Sequence, residues 1–280
     1  MAGDLEIRVM DAADLARAID WAAAEGWNPG LADAAAFRAA DPGGFLAGHV
    51  DGEMVSSISV VRYGPAFAFL GFYIVAPAWR GRGHGIATWR AGLAVAGERT
   101  ICLDGVVAQQ GYYARSGFAL AHRNVRYGGR PAGAARDPRV VPIAGDVVES
   151  VLAYDREIFG FPRAAFLDAW LAGEGRTALA YLRDGAVAGY GVVRPCRSGA
   201  KIGPLFADEA TIADALLSAL AAVHPDGPVF LDPPEPNGAA TALAVHHGLT
   251  PVFETARMYR GADPALPLTR IYGITTFELG

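Results

Sequence analysis

Apolar and polar residues alternate along two pairs of segments, and each pair is joined by an Asp-Gly dipeptide, Asp51-Gly52 or Asp184-Gly185. An Asp-Gly step between alternating segments predicts a β-hairpin, because a type I′ turn needs positive φ at both of its central residues. The paired segments are Phe45–Val50 with Met54–Arg62, and Thr177–Arg183 with Val187–Arg194. Leu46-Ala47 before the first turn recurs as Leu179-Ala180 before the second, at the same spacing. The pattern therefore predicts two related hairpins.

Two further matches follow the hairpins in the same order. Ser116-Gly117-Phe118 corresponds to His247-Gly248-Leu249, and Val125-Arg126-Tyr127 corresponds to Ala256-Arg257-Met258. Such ordered matches predict two copies of one fold of roughly 130 residues each. A stretch rich in Gly, Pro and Ala separates the copies. We therefore expect domains at 1–129 and 139–280, joined by a linker at 130–138.

The remaining periodicity places helices between the strands of both copies. Phe67–Val75 is almost wholly apolar, as in a strand that is buried on both faces, and Asp11 with Asp14 fits a helix capping box. The other strands expected in copy one are Leu5–Val9, Thr100–Val106 and Phe118–Tyr127, and the helices are one after Asp11, Asp33–Ala40, one ending near Ala96, and Gln109–Ser116. Copy two is expected to contain strands near Val140, at Lys201–Phe206, at Val229–Leu231 and within Pro251–Arg260 and Arg270–Leu279, and helices within Val147–Leu171 and at Thr211–Val223 and Ala239–His246. This order predicts the α/β class, with a mixed sheet in each of two tandem domains.

Composition narrows the class of protein. Hydrophobic residues make up 52% of the 280-residue chain and charged residues 19%, which permits a sizeable core and excludes global disorder. The net charge of −5 argues against a nucleic-acid partner, because nucleic acids usually bind a basic face. The sequence has no run of about 18 apolar residues, and its first residues are acidic where a signal peptide would be basic. We therefore expect a cytoplasmic protein without a membrane partner.

Cysteine and histidine do not indicate a metal site. Cys102 and Cys196 lie in apolar segments that are expected to be strands, so we interpret both as buried structural residues. The adjacent His246 and His247 would point about 100° apart on a helix, and they have no carboxylate neighbours. No metal is expected.

A glycine-rich loop follows the apolar strand Phe67–Val75. Three glycines, Gly81, Gly83 and Gly85, alternate with Arg80, Arg82 and His84, and a helix is expected to begin at this point. Glycines allow a ligand to approach the backbone closely, and free N–H groups at a helix start attract phosphate oxygens. Ile86 stands where a Rossmann fingerprint has glycine, and the Gly-Lys-Ser/Thr of a Walker loop is absent from the sequence. The loop therefore predicts a pyrophosphate site, with a purely structural turn as the alternative.

Residues 4–129 resemble the GNAT superfamily, the Gcn5-related N-acetyltransferases. The resemblance rests on Arg80–Gly85, which fits the acyl-CoA loop of that family, and on Tyr113–Phe118, which fits its Tyr-x-x-x-Gly-Phe segment. It implies two tandem GNAT-like domains and an acetyl-CoA site on the first. The residues implied in binding acetyl-CoA are Ile74, Val75, Arg80, Gly81, Arg82, Gly83, His84, Gly85, Ile86 and Ala87. The second copy has Asp208-Glu209 in place of the loop, so it is expected to be degenerate and to help to enclose the acceptor.

The resemblance also implies catalytic roles. Tyr113 matches the family tyrosine that protonates the leaving thiolate. The family often has a Glu on the fourth strand as base, but Phe67–Val75 contains no acid, so Asp104, His122 and a chain of waters stay open as routes for the amine proton. An Asn that often precedes the tyrosine is replaced by Val106. Candidate substrate residues are Trp27, Asn28, Phe37, Phe72, Asp155, Phe159, Arg163 and the Asp232–Asn237 loop.

Taken with the resemblance, the sequence predicts an acetyl-CoA-dependent N-acetyltransferase. The acetyl group would move directly to a primary amine of a small molecule in a ternary complex. The alternatives are another acyl or aminoacyl transfer, a non-catalytic CoA sensor, and a nucleotide-binding module. The oligomeric state stays open, with a homodimer as one option.

Overall fold

The computed structural model describes residues 4–131 and 137–280, so residues 132–136 of the predicted linker lie outside the described residues. The expected mixed α/β class is confirmed. The first half contains β1 (Glu6–Val9), α1 (Ala12–Ala24), α2 (Asp33–Ala40), β2 (Phe45–Val50), β3 (Glu53–Tyr63), β4 (Phe67–Val75), α3 (His84–Ala96), β5 (Thr100–Val106), α4 (Gln110–Arg115) and β6 (Ala119–Gly129). The second half contains β7 (Val140–Pro142), α5 (Val147–Phe159), α6 (Ala164–Leu171), β8 (Thr177–Arg183), β9 (Ala186–Pro195), β10 (Ala200–Ala207), α7 (Ala210–Ala221), β11 (Val229–Leu231), α8 (Gly238–His246), β12 (Thr250–Arg260) and β13 (Ile271–Gly273).

Local sequence signals account for three of the element boundaries. Both Asp-Gly pairs have positive φ, 51° and 80° in the first turn and 53° and 82° in the second, so the predicted type I′ hairpins are confirmed. The capping box before α1 is also present, because the Asp11 carboxylate accepts a hydrogen bond from the Asp14 amide at 2.9 Å.

The end of the chain departs from the expected strand. Only Ile271–Gly273 is extended, and residues 274–280 follow an irregular, fully buried path. The Ile274 amide donates to the carbonyl of Asp232 at 3.0 Å, and the Tyr63 hydroxyl donates to the carbonyl of Leu279 at 2.9 Å. The tail therefore runs from the second half to the first and finds its hydrogen-bond partners in both.

One continuous sheet joins the two halves. Its strand order is β1-β2-β3-β4-β5-β12-β6-β11-β10-β9-β8-β7, and β13 pairs with β10. Strand β12 of the second half lies between β5 and β6, and β6 of the first half lies between β12 and β11. Each half thus gives its closing strand to the other half. The periodicity that predicted these strands contains no information on this exchange.

The exchange is accompanied by two reciprocal ion pairs. Arg257 on β12 binds both carboxylate oxygens of Asp104 at 2.7 and 2.6 Å, and Arg126 on β6 binds both oxygens of Asp232 at 2.7 and 2.8 Å. Arg126 and Arg257 hold matching places in the repeat, and each ion pair joins one half to the other. All four side chains are buried. Bidentate pairing satisfies charges that would be costly to bury alone.

The sheet opens between two strands of the first half. Strand β4 pairs with the parallel β5 only from Phe67 to Leu70, and the two strands then diverge. Phe72 has a φ of +47°, and its carbonyl accepts a hydrogen bond from the Ser57 hydroxyl at 2.6 Å, so β4 is bent at this point. In the second half, β13 pairs with β10 where the equivalent opening would lie. Only the first opening is therefore available to a ligand within the described residues.

The hydrophobic core crosses the boundary between the halves. Phe37 of α2 stacks on Trp170 of α6 at 6.3 Å, and Tyr63 of β3 meets Phe159 of α5 edge to face at 5.0 Å. The halves therefore share side-chain packing as well as strands. Within the described residues, no helix is both long enough and apolar enough to cross a membrane.

We expect Asp104→Asn to lower the free energy of unfolding by about 3–5 kcal/mol, because it leaves the buried Arg257 guanidinium without its counter-charge. Urea denaturation measures the change. Glu254→Gln is the matched control, since Glu254 also pairs across β6 and β12, with Arg123 at 2.6 Å, but in an exposed position. Water screens that pair, so its loss should cost less than about 1 kcal/mol. Equal effects of the two substitutions would contradict the role given to the buried pair.

Candidate active site

The opening between β4 and β5 leads into a narrow cavity that lies between the two halves. We call it the central cavity. The first half lines it with Trp27, Leu70–Tyr73, Leu103–Val106 and Tyr113, and the second half adds Phe253, Thr255 and Phe277. The lining is mostly aromatic and aliphatic. Both halves are therefore needed to enclose this cavity.

A second, more open cleft meets the central cavity. We call it the donor cleft; it lies between the end of β4 and the segment from Val106 to Tyr113, and Arg80 of the glycine-rich loop borders it. Four residues line both spaces, namely Trp27, Tyr73, Val106 and Tyr113. A molecule that extends along the donor cleft would therefore end at the central cavity.

The glycine-rich loop has the backbone geometry that a phosphate site needs. Gly81 and Gly83 have φ values of +76° and +89°, and α3 begins directly after them at His84. The first amides of a helix have no partner inside that helix, so those of His84, Gly85 and Ile86 are directed outward at the loop. A Cβ at Gly85 would lie 2.9 Å from the Tyr73 hydroxyl, so glycine is required for α3 to pack this closely on β4.

Arginine side chains flank the loop. Arg80 donates to the carbonyl of Val75 at 2.9 Å and to Glu25 at 2.6 Å, and Arg82 lies over the ring of Trp79 at 5.0 Å. Ile74 and Val75 line the start of the donor cleft on β4, while Ile86 and Ala87 belong to the first turn of α3. Of the residues expected to bind acetyl-CoA, Ile74, Val75 and Arg80 line the cleft, and the others follow directly in the glycine-rich loop and the first turn of α3.

Tyr113 lies at the junction of the central cavity and the donor cleft. Its ring crosses β5 at Gly105, where an added Cβ would come within 2.3 Å of Tyr113 Cε2, and it stacks on Trp89 at 5.8 Å. Burial, together with neighbouring Tyr112, raises the pKa of Tyr113 to about 12. The phenol therefore stays protonated near neutral pH and is available as a proton donor.

The expectation that Asp104 takes the amine proton disagrees with its surroundings. Asp104 lines the central cavity, but Arg257 binds both of its oxygens, and the Asn124 amide donates to Oδ1 at 2.8 Å. A proton would have to displace these donors, so the geometry favours a structural role for this carboxylate. His122 lies outside the lining of both spaces, and burial, followed by the Arg257 charge, lowers its pKa to about 4.

Asp232 is also held in an ion pair, so its carboxylate is not free to contact a substrate. It is the buried partner of Arg126, and its position in the protein interior explains why its charge needs that partner. Phe72 agrees better with the expectation, because it lines the central cavity at the bend of β4.

Trp27 and Asn28 form a loop that the second half holds in place. The Trp27 carbonyl accepts hydrogen bonds from Arg126 at 2.9 Å and from Lys201 at 3.3 Å. Asn28, with a φ of +53°, exchanges two hydrogen bonds of 2.9 Å with the backbone of Ser198. Trp27 is therefore fixed as a wall of both spaces, while Asn28 lies outside the central cavity.

The other substrate candidates lie outside the central cavity, and Asp155 and Arg163 line a separate pocket beside α5 and α6. Arg163 binds both oxygens of Asp155, donates to Thr275 at 2.9 Å, and lies over the ring of Phe159. This network is buried and its hydrogen bonds are satisfied, and none of these residues lines the central cavity. Phe37 packs in the core against Trp170. The expectation that Phe37, Asp155, Phe159 or Arg163 contacts a substrate in this cavity is therefore not supported.

Three residues that line the central cavity belong to no motif that the sequence analysis recognised. Phe253 and Thr255 are on the exchanged strand β12, and Phe277 is in the buried tail. Each belongs to the second half and reaches the site only because that half contributes a strand and the chain end to the first. Alternation along Pro251–Arg260 predicted the strand but could not indicate which cavity its side chains meet.

Comparison with known proteins agrees with this architecture. A model described as "Acetyltransferase (GNAT) family" matches residues 12–118, and one described as "Acetyltransferase (GNAT) domain" matches residues 151–273. The holothin acyltransferase of Pseudoalteromonas sp. (strain SANK 73390) is 34% identical over 263 residues, which cover 93% of this chain and 90% of that protein.

Solved structures show the same fold over nearly the whole chain. A putative acetyltransferase from Pyrococcus horikoshii has a TM-score of 0.83 and 26% identity, covering 99% of this chain and 96% of that chain. A tandem GNAT protein from the clavulanic acid biosynthesis pathway has a TM-score of 0.64 and 18% identity, covering 93% of this chain and 100% of that chain. The chain is an acyltransferase that belongs to the GNAT family, with two GNAT domains in tandem.

Proposed function

We propose that this acyltransferase moves an acetyl group from acetyl-CoA to a primary amine of a small molecule, by direct attack in a ternary complex. The observation that carries the proposal is the position of Tyr113, a buried and protonated phenol where the donor cleft meets the central cavity. A thioester whose CoA lies along the cleft would present its sulfur near this hydroxyl.

The reaction needs few side chains. The loop amides and Arg82 would bind the pyrophosphate, and the backbone of β4 beside the opening would pair with the pantetheine arm and polarise the thioester carbonyl. The amine nitrogen forms the new C–N bond as the C–S bond breaks. Tyr113 gives its proton to the leaving thiolate and regains one from water, while the proton lost by the nitrogen passes to solvent. The products are the amide and CoA as a free thiol.

The central cavity favours an apolar acceptor. Its lining is rich in aromatic side chains, and its one carboxylate among the described residues, Asp104, is paired with Arg257. A polycationic amine would lose its hydration there without gaining a counter-charge, which is costly. We propose that the acceptor enters as a neutral, largely apolar amine, and the similarity to a holothin acyltransferase makes holothin the first compound to test.

The second half would serve the acceptor and bind no CoA. Its equivalent opening is filled by β13, and Asp208 and Glu209 precede α7 where the first half has its glycine-rich loop. Both acidic residues pair with Arg183, at 3.0 and 3.3 Å. Phe253 and Phe277 would instead form the wall on which the acceptor packs.

Release of free thiol from acetyl-CoA tests the proposed function. The amine panel is holothin, benzylamine, glycine, spermidine and an aminoglycoside. We expect the apolar members to support faster release than spermidine or the aminoglycoside, because the cavity offers the latter no unpaired negative charge within the described residues. Thiol release that no amine stimulates would contradict the proposal, and preference for spermidine would contradict the acceptor class.

Gly83→Trp should abolish CoA binding, because the indole would occupy the pyrophosphate position. Gly185→Trp is the matched control: it has a similar φ of +82°, and open space surrounds an added Cβ at both glycines, so both substitutions bring similar backbone strain. Calorimetric titration should give one CoA per chain for wild type and Gly185→Trp. Two CoA molecules per chain, or unimpaired binding by Gly83→Trp, would contradict the assignment of the loop.

Tyr113→Phe should retain CoA affinity and lower turnover by about 10²–10⁴-fold, as is typical when a general acid is removed. With a pKa of about 12, wild-type Tyr113 keeps its proton as pH rises, so it should cause no loss of rate below about pH 10. Tyr127→Phe, equally buried but outside the lining of both spaces, is the control for removal of a tyrosine hydroxyl. Turnover of Tyr113→Phe equal to that of the control would remove Tyr113 from the mechanism.

A further inference from the structure

Thr255 contributes a buried hydroxyl group to the wall of an otherwise largely apolar cavity. It is 2% exposed, it lines the central cavity, and its Oγ1 has no hydrogen-bond partner within residues 4–131 and 137–280. A buried polar atom without a partner costs free energy, so natural proteins seldom retain one without a use. A hydroxyl that faces a cavity can acquire its partner when a ligand binds.

The place of Thr255 in the sheet brings it near the reacting atoms. On β12 it lies directly opposite Val106 of β5, and Val106 lines both the central cavity and the donor cleft. Directly opposed residues on neighbouring strands point to the same face, with their Cβ atoms about 4.5–5.5 Å apart. Thr255 does not line the donor cleft. It therefore lies next to the junction on the side of the central cavity.

A second hydrogen-bond acceptor lies in the same row of the sheet. Thr255 is also directly opposite Asn124 of β6, which is fully buried. The Asn124 amide nitrogen donates to Asp104, which fixes the orientation of the side chain because a carboxylate can only accept. Its Oδ1 has no partner among the residues that the structure describes, but Asn124 lines neither space, so Thr255 is the polar residue of this row that a ligand in the central cavity would meet.

We propose that Thr255 positions the acceptor amine for attack on the thioester. This inference rests on the proposed function and names a residue that would determine acceptor binding. Oγ1 would accept an N–H of a neutral primary amine, which leaves the nitrogen lone pair free to point toward the donor cleft. As the C–N bond forms, the nitrogen becomes positive and this hydrogen bond strengthens, so the same contact stabilises the transition state.

A purely structural role for the hydroxyl makes the opposite prediction for stability. If Oγ1 served the fold, Thr255→Val would destabilise the protein. If Oγ1 is kept for the acceptor, Thr255→Val removes an unpartnered polar group at nearly constant shape, so the melting temperature should stay the same or rise. Stability and catalysis then change in different directions, as at other functional sites.

The experiment compares wild type, Thr255→Val, Thr255→Ser and Ser59→Ala. Acetyl-CoA is the donor, and holothin and benzylamine are the acceptors. We expect kcat/KM for the amine to fall about tenfold in Thr255→Val, as for one lost hydrogen bond, while KM for acetyl-CoA is unchanged. Thr255→Ser keeps the hydroxyl and should restore most of the rate. Ser59→Ala removes another buried hydroxyl without a partner in the described part of the chain, outside the cavity lining, and should behave as wild type.

The outcomes separate this inference from the proposed function. Thiol release that Thr255→Val leaves unchanged with both amines would overturn the inference and leave acetyl transfer intact. A lower melting temperature with unchanged kcat/KM would assign the hydroxyl to the fold and also overturn it. If wild type releases no thiol with any amine of the panel, the proposed function fails and this inference fails with it.

Discussion

The exchange of closing strands between the halves is the constraint on which the rest of the structure depends. Strand β12 satisfies the hydrogen bonds of β5, and β6 satisfies those of β11, so neither half completes its sheet alone. The Asp104–Arg257 and Asp232–Arg126 pairs are buried at these two boundaries, where each charge needs its partner from the other half. The position of β12 in turn determines which side chains of the second half reach the central cavity.

The two halves have related folds, but they differ at the position where a ligand could enter the sheet. The first half keeps the opening between β4 and β5 and the positive-φ glycines Gly81 and Gly83. In the second half β13 pairs with β10, and the buried tail continues from there to the first half. The same segment therefore closes one potential site and, through Phe277, helps to line the other.

The parts of the molecule that local chemistry determines could be predicted from the sequence. The two Asp-Gly turns, the capping box at Asp11 and the glycine-rich loop depend on residues that are close together in the chain, and all three were found as expected. The strand exchange could not be predicted, because alternation shows that a strand exists and does not show its neighbours. Asp104 and Asp232 looked available for chemistry for the same reason: their arginine partners lie far away in the chain. Thr255 carried no signal at all, since only the three-dimensional structure shows that its Oγ1 is unpaired and that the residue lines a cavity.

The reciprocal placement of β6 and β12 has a consequence for the origin of such a chain. Two identical half-length subunits that exchanged their last strands would form the same central arrangement as a symmetric dimer. In that dimer, every substitution would appear twice, and a change that removed one glycine-rich loop would remove both. When the two subunits are joined into one chain, a substitution can occur in one copy without occurring in the other. The shared sheet still holds the two copies together. One copy can then lose its ligand and supply the walls of its neighbour's site without any change in assembly.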